Sequence, residues 1–159
     1  MMINPQIVTA LNEQVNAELW SGYMYLSISY DMSSKGFHGV SNWFAAQAHE
    51  EFEHAIRIAK YIVSRDAKVL MKPIAEVSQE WNSPVEAFEY TLSHEQEVTE
   101  SIHKLMDKAI EVKDYETQSM LKWFIDEQVE EENTTRQLLR TLKMVEKDSA
   151  ALCFCQRVG

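Results

Sequence analysis

Residues 48–54 read AHEEFEH, and around them Phe44, Ala48, Glu51, Ala55, Ile58 and Ile62 recur at three-four spacing. That spacing is one face of an α-helix turned toward a core. Ala48, Phe52 and Ala55 give the stretch an apolar setting, yet Glu51 occupies a core slot and His54 follows it by three residues on the adjoining edge. A carboxylate in such a slot is costly without a partner, so the rest of the chain must supply one.

The same pattern recurs in three further segments. Asn4 before Pro5 is a polar cap with proline at the first helical position. The helix it opens carries Leu11, Val15, Glu18, Gly22 and Tyr25 on one face, and runs through Leu19, Leu26 and Met32 to the loop SSKGFHG at 33–39. The helix of the opening stretch is expected from about Ser41 to Ser64. Ser83 and Pro84 repeat the cap chemistry and open a helix with Phe88, Leu92, Glu95, Thr99, Ile102 and Met106 in line. After the turn VKD at 112–114, a fourth face carries Phe124, Gln128, Glu131, Thr135, Leu138 and Leu142. No glycine or proline falls between Pro84 and Val158, which favours long helices with short turns. A shorter fifth helix is expected from Ala150.

Connection lengths set the topology. Short links make the first and second helices antiparallel, and likewise the third and fourth. The link from about Asp66 to Ser83 can reach roughly 60 Å at about 3.3 Å per residue, enough to span the bundle. The expected fold is therefore all-α: a four-helix bundle with one long crossover between the second and third helices, in a single domain over 1–159.

Each helix places one glutamate at mid-length of its core face: Glu18, Glu51, Glu95 and Glu131. No lysine or arginine occupies a neighbouring slot. Two divalent cations would balance four carboxylates, and His54 adds a neutral nitrogen; this donor set suits Fe, Mn or Zn in a dinuclear site. The convergence carries that reading, because E-x-x-H alone does not. With 25 acidic residues and 5 histidines, chance supplies roughly 0.8 acidic-x-x-His matches. Glu100 and His103 form a second one, read as a surface pair.

The composition excludes several classes. A formal net charge of −10 opposes nucleic-acid binding and concentrates cations. Arg136, Arg140 and Lys143 are spread among leucines as a solvated face. No segment approaches the length of an apolar membrane span, and the N-terminal residues lack the pattern of a signal peptide. Cys153 and Cys155 are too close for an ordinary disulfide framework and are read as free thiols, so a cytoplasmic protein is expected.

On LNEQVNAELW around Glu18, HEEFEH at 49–54, HEQ around Glu95 and DEQVEEE at 126–132, the chain resembles a ferritin of the non-haem bacterial type over Leu11 to about Val145. The resemblance implies a ferroxidase centre that oxidises Fe²⁺ with O₂ or H₂O₂ and stores ferric mineral in a 24-subunit shell. One iron would use Glu18, Glu51 and His54; the other Glu51 as bridge, Glu95 and Glu131, with Gln128 close by. A third iron site is implied at Glu50, Glu127, Glu130 and Glu131. Tyr25 matches the tyrosine beside the centre, and Trp123 fits the pattern as a packed aromatic. Haem is not expected, since Phe52 stands where bacterioferritins carry a haem-binding methionine. Glu127-x-x-Glu130 replaces the second E-x-x-H of bacterioferritins and rubrerythrins. The alternative is a di-iron oxidase or rubrerythrin-like peroxidase that stores no mineral. The tail DSAALCFCQRVG is short for a channel-lining fifth helix, and Asp114 and Glu116 are candidates for the path of iron.

Overall fold

Asn4 Oδ1 accepts the amide N–H of Gln6 at 2.8 Å, and Pro5 opens the first helix as its cap predicts. The computed structural model describes residues 2–146, and the four helices it contains are α1 (Pro5–Ser34), α2 (His38–Ser64), α3 (Pro84–Glu111) and α4 (Tyr115–Val145). Ser83 caps α3 by accepting from the Glu86 amide at 3.1 Å, and Asp114 caps α4 by accepting from the Thr117 amide at 3.0 Å. The expected fifth helix, with Cys153 and Cys155, lies outside the described residues.

The ends of α1, α2 and α3 share one geometry. The amides of Phe37, Ala67 and Asp114 reach back to the carbonyls of Met32, Ile62 and Ala109 at 2.9, 3.1 and 2.9 Å. Each follows a residue in the left-handed region: Gly36 at φ 86°, Asp66 at 57° and Lys113 at 57°. This tight closure shortens the first link to Lys35–Phe37, so α2 begins at His38 rather than near Ser41.

The crossover runs alongside α1 in the same direction. Asn12 Nδ2 donates to the Lys68 carbonyl at 3.0 Å and its Oδ1 accepts from the Leu70 amide at 2.8 Å. Asn16 donates to the Pro73 carbonyl at 3.1 Å, Trp20 to that of Glu76 at 3.3 Å and Ser27 to that of Ser78 at 2.6 Å. Asp31 accepts the Trp81 amide at 3.0 Å. A strap without a ladder of its own thus finds partners on the polar edge of α1, and the chain returns along the bundle so that α3 runs parallel to α2.

The core is two apolar clusters. One holds Leu11, Val15, Ile58, Ile102 and Phe124; the other holds Tyr25, Ile28, Phe44, Phe88 and Leu139. In every helix the mid-length glutamate falls between them. The expected inward faces of α1 and α2 are buried as read, with Leu19 and Leu26 half-buried beside them. On α3 the face turns slightly: Thr91, Val98 and Leu105 are buried where Leu92, Thr99 and Met106 were expected, and on α4 Leu139 replaces Leu138. A step of three and a step of four both return near one face of a 3.6-residue helix, so spacing alone does not choose between them.

At Gly22, α1 packs closely against α2. A Cβ there would stand 2.6 Å from the Phe52 ring, which follows Glu51. Gly22→Val is expected to lower stability by about 1–3 kcal/mol through overpacking. Adding Phe52→Ala should recover part of that loss, as denaturant melts of both variants and of Phe52→Ala would read. Additive losses would place the strain elsewhere.

Candidate metal centre

At the level between the two clusters, Glu18 from α1, Glu51 and His54 from α2, Glu95 from α3, and Gln128 and Glu131 from α4 are all buried. Ligand atoms of Glu18, Glu51 and His54 lie within 4.8 Å of one another, as do those of Glu51, Glu95 and Glu131. Glu51 belongs to both groups. A third group, His54, Glu127 and Glu131, meets the same limit and leads outward.

Neutral donors hold three of the four carboxylates. Gln14 Nε2 donates to Glu18 Oε1 at 3.0 Å, and Gln47 Nε2 to Glu131 Oε2 at 2.5 Å. Tyr25 donates its phenol to Glu95 Oε1 at 2.5 Å, and Gln128 Nε2 donates to Glu95 Oε2 at 3.0 Å. Glu18 Oε2 and Glu51 Oε1 are buried with no hydrogen-bond partner among the described residues. Such orphaned acceptors are what a cation would satisfy.

His54 Nδ1 stands 3.4 Å from Glu51 Oε2 and 3.8 Å from Glu18 Oε2. Its ring is fixed edge-on by Trp123 and Phe124, at centroid distances of 5.4 and 5.8 Å. Trp123 is covered in turn by the Arg57 guanidinium, 3.8 Å above its ring. His54, Trp123 and Arg57, with Glu50, Glu53 and Glu127, line a cleft of about 260 Å³ that opens the layer at the α2/α4 side.

The electrostatics follow from crowding. Burial, then the charge of Glu18, pushes the Glu51 carboxyl well above 4.5. Burial and the charge of Glu95 push Glu131 up to about 8, and burial also raises Glu95. Burial acts on Glu18 in the same sense, but the nearby Glu51 carboxyl and His54 ring outweigh it and the pKa is lowered. For His54, burial opposes the charge and the Glu18 contact prevails, raising the pKa from 6.5. The crowding thus favours protons on Glu51 and Glu131, at positions where a cation would equally offset the charge.

Of the other residues singled out in the sequence, Glu127 joins the third group, Glu50 is exposed at the cleft mouth, and Glu130 is exposed and outside all three groups. Glu100 and His103 are both exposed. Asp114 is occupied structurally: besides capping α4 it pairs with Arg65 at 2.9 Å. Gln14 and Gln47 were missed; Gln14 sits one turn before Glu18, at the spacing that lets its amide reach that carboxylate, whereas Gln47 reaches across to Glu131 on α4. His94 was also missed. It is tied to Ser21 Oγ at 2.7 Å and lies between the rings of Trp20, Tyr25 and Tyr90, and burial holds its pKa below 6.5.

Comparison with known proteins agrees with this geometry. The family model of the ferritin-like domain matches residues 8–145. A bacterial non-heme ferritin of Bacteroides fragilis is 38% identical over 142 residues, 89% of each chain. One from Staphylococcus aureus is 35% identical over 156 residues, 98% of this chain and 94% of the other. An open-pore ferritin from the archaeon Archaeoglobus fulgidus superposes with a TM-score of 0.96 at 38% identity, covering 98% of this chain and 96% of that one.

Raised carboxylates stabilise a fold fully below the unfolded value of 4.5 and lose that contribution as pH rises through the folded value. His54, also raised, acts in the same sense from 6.5 upward, and the lowered Glu18 opposes it only below 4.5. Metal-stripped protein is therefore expected to melt at lower temperature as pH rises from about 5 to about 8. Glu131→Gln should flatten that slope, and Zn²⁺ should raise the melting temperature more at the alkaline end, where protons no longer compete. A flat wild-type profile would show that the layer does not hold its protons.

Proposed function

The chain belongs to the ferritin family, and from that premise we propose that it takes up Fe²⁺, oxidises it at the buried carboxylate layer and stores the product as ferric mineral. The observation that carries this reading is the pair of donor groups sharing Glu51, with orphaned oxygens on Glu18 and Glu51. Glu18, Glu51 and His54 would hold one Fe²⁺. Glu51, Glu95 and Glu131, with Gln128 alongside, would hold the other. Carboxylates suit the step because they are hard donors that can bridge two ions.

Iron is the substrate here, and the chain's part is to bind, orient and exchange protons. Fe²⁺ displaces the protons of Glu51 and Glu131, and two cations neutralise four carboxylates. Each iron then gives up one electron, so two Fe²⁺, one O₂ and two protons yield two Fe³⁺ and one H₂O₂; a molecule of peroxide likewise takes two electrons. Tyr25 fixes Glu95 and is the proposed catalytic tyrosine. Glu50, Glu127 and Glu130, with Glu131, form the proposed third iron site, on the path by which oxidised iron leaves the α2/α4 side.

Storage requires an enclosed volume, supplied by a shell of identical subunits, 24 in number by family likeness. An exposed surface supports association: Tyr23, Leu26, Tyr30 and Val77 line a groove of about 900 Å³ between α1 and the crossover. One domain would carry both oxidation and assembly. No helix among the described residues is long and apolar enough to cross a membrane, and a cytoplasmic location is proposed.

The test is anaerobic loading of Fe²⁺ followed by air, read by near-ultraviolet absorbance against iron per chain. Wild type is expected to oxidise its first irons quickly and then to keep loading far beyond two per chain. Glu51→Ala should lose at least about tenfold in the fast phase. Saturation at two would replace storage with a di-iron oxidase or peroxidase, and oxidation no faster than in buffer would remove the centre.

A further inference from the structure

Two openings approach the carboxylate layer from opposite sides of the bundle. Helix α1 packs on α2 and α3, and α3 packs on α4, so the α1/α3 and α2/α4 seams lie back to back. The α2/α4 seam holds the cleft beside His54. The α1/α3 seam holds a separate groove of about 360 Å³. Its inner wall includes Gln14, which is buried and donates to Glu18 Oε1 at 3.0 Å. One neutral amide separates this groove from the centre, and the other oxygen of that glutamate is the orphaned Oε2.

The groove exists because Ala10 and Ala17 on α1 present only methyl groups across from α3. Larger residues there would interdigitate with the facing ridge and close the seam. Chemically the two openings differ. The cleft sets Glu50, Glu53 and Glu127 against Arg57, and so draws cations. The groove sets Lys104 and Lys108 against Glu13, with Leu105 and the alanines between. Lys104 also reaches Glu100 at 3.6 Å, which leaves no cluster of carboxylates to hold a divalent ion. An uncharged molecule is not sorted by these charges; it needs only open volume, which the groove provides.

We propose that the α1/α3 groove is the path by which the small uncharged oxidant, O₂ or H₂O₂, reaches the centre, with Gln14 closing its inner end, while Fe²⁺ uses the α2/α4 cleft. The proposal rests on the ferroxidase reading. It gives the two reactants separate ways in, so that iron waiting at the acidic mouth does not block the oxidant. Because Gln14 is neutral, its departure from Glu18 leaves no unpaired cation behind.

Ala17→Phe fills the groove from α1, and Ser101→Phe fills it from an exposed position on α3. Anaerobic Fe²⁺ titration first establishes that each variant binds iron as wild type does. Stopped-flow mixing of the loaded protein with O₂, and separately with H₂O₂, over a range of concentrations then gives the second-order constant for each oxidant. Both variants are expected to lose about tenfold in that constant, equivalent to roughly 1.4 kcal/mol on the barrier. Wild-type constants in either folded, iron-loaded variant would overturn the proposal. Lys104→Gln with Lys108→Gln, which removes the groove's positive charges without adding carboxylates, is expected to leave Fe²⁺ binding unchanged; a changed rate of Fe²⁺ binding in that double variant would make the groove a cation path and also overturn it. Failure of wild type to oxidise iron at all would instead remove the ferroxidase reading, which keeps the two failures apart.

Discussion

Four carboxylates at one height in an apolar bundle, with no lysine or arginine among them, set the terms for the rest of the structure. Each unpaired buried charge costs several kcal/mol, and a domain of this size has only about 5–15 kcal/mol in total. The fold meets this demand in three ways. Apolar clusters on both sides of the layer keep the helices together independently of it. Burial and mutual repulsion push the Glu51 and Glu131 carboxyls up, which favours their protonated forms. Neutral amides and a phenol hold Glu18, Glu95 and Glu131 in place. Proton and metal are alternative answers to one electrostatic problem.

The same constraint explains what could be read in the sequence. A glutamate interrupting an apolar ladder is conspicuous, and four such interruptions at matching heights mark the layer in the sequence itself. The caps at Asn4 and Ser83 were legible because they rely on local chemistry alone. Less legible were Gln14 and Gln47, since a glutamine within a helix looks like solvated surface until its partner's direction is known. The inward turn of α3 toward Thr91, Val98 and Leu105 depends on how helices pack, which one helix's spacing does not encode. Asp66 and Lys113 close helices in a conformation usually signalled by glycine, so their turns carried no such mark.

Topology ties the layer to its surroundings through α1. One face of that helix packs on α2, its glutamate faces the layer, and a polar edge of Asn12, Asn16 and Trp20 is taken by the crossover. What remains for α3 is a strip containing Ala10, Gln14 and Ala17, too small to seal the seam. The looseness there follows from three stronger commitments on the other sides of one helix. On the far side, α2 and α4 are spread by His54, Trp123 and the acidic residues around them, which makes the second opening. A bundle whose hairpins are each tightly packed, and which meet each other loosely, has its two accesses where the polar layer is thinnest.

The choice of hydrogen-bond donors has a further consequence. A lysine or arginine beside each glutamate would make the metal-free layer more stable but would cancel the charge that attracts cations. Glutamine and tyrosine fix a carboxylate by one oxygen and leave its charge intact. Glu51 is the exception, because among the described residues no neutral side chain donates to it, and its contact with His54 is the longer one of 3.4 Å. It is also the carboxylate common to both donor groups. In the proposed centre the three held glutamates would define where two ions sit, and the unheld one would change which oxygen it presents as those ions change charge. Fixed positions and a movable bridge are opposite requirements of such a centre, and the layer would meet both by giving neutral donors to every carboxylate but the one that is shared.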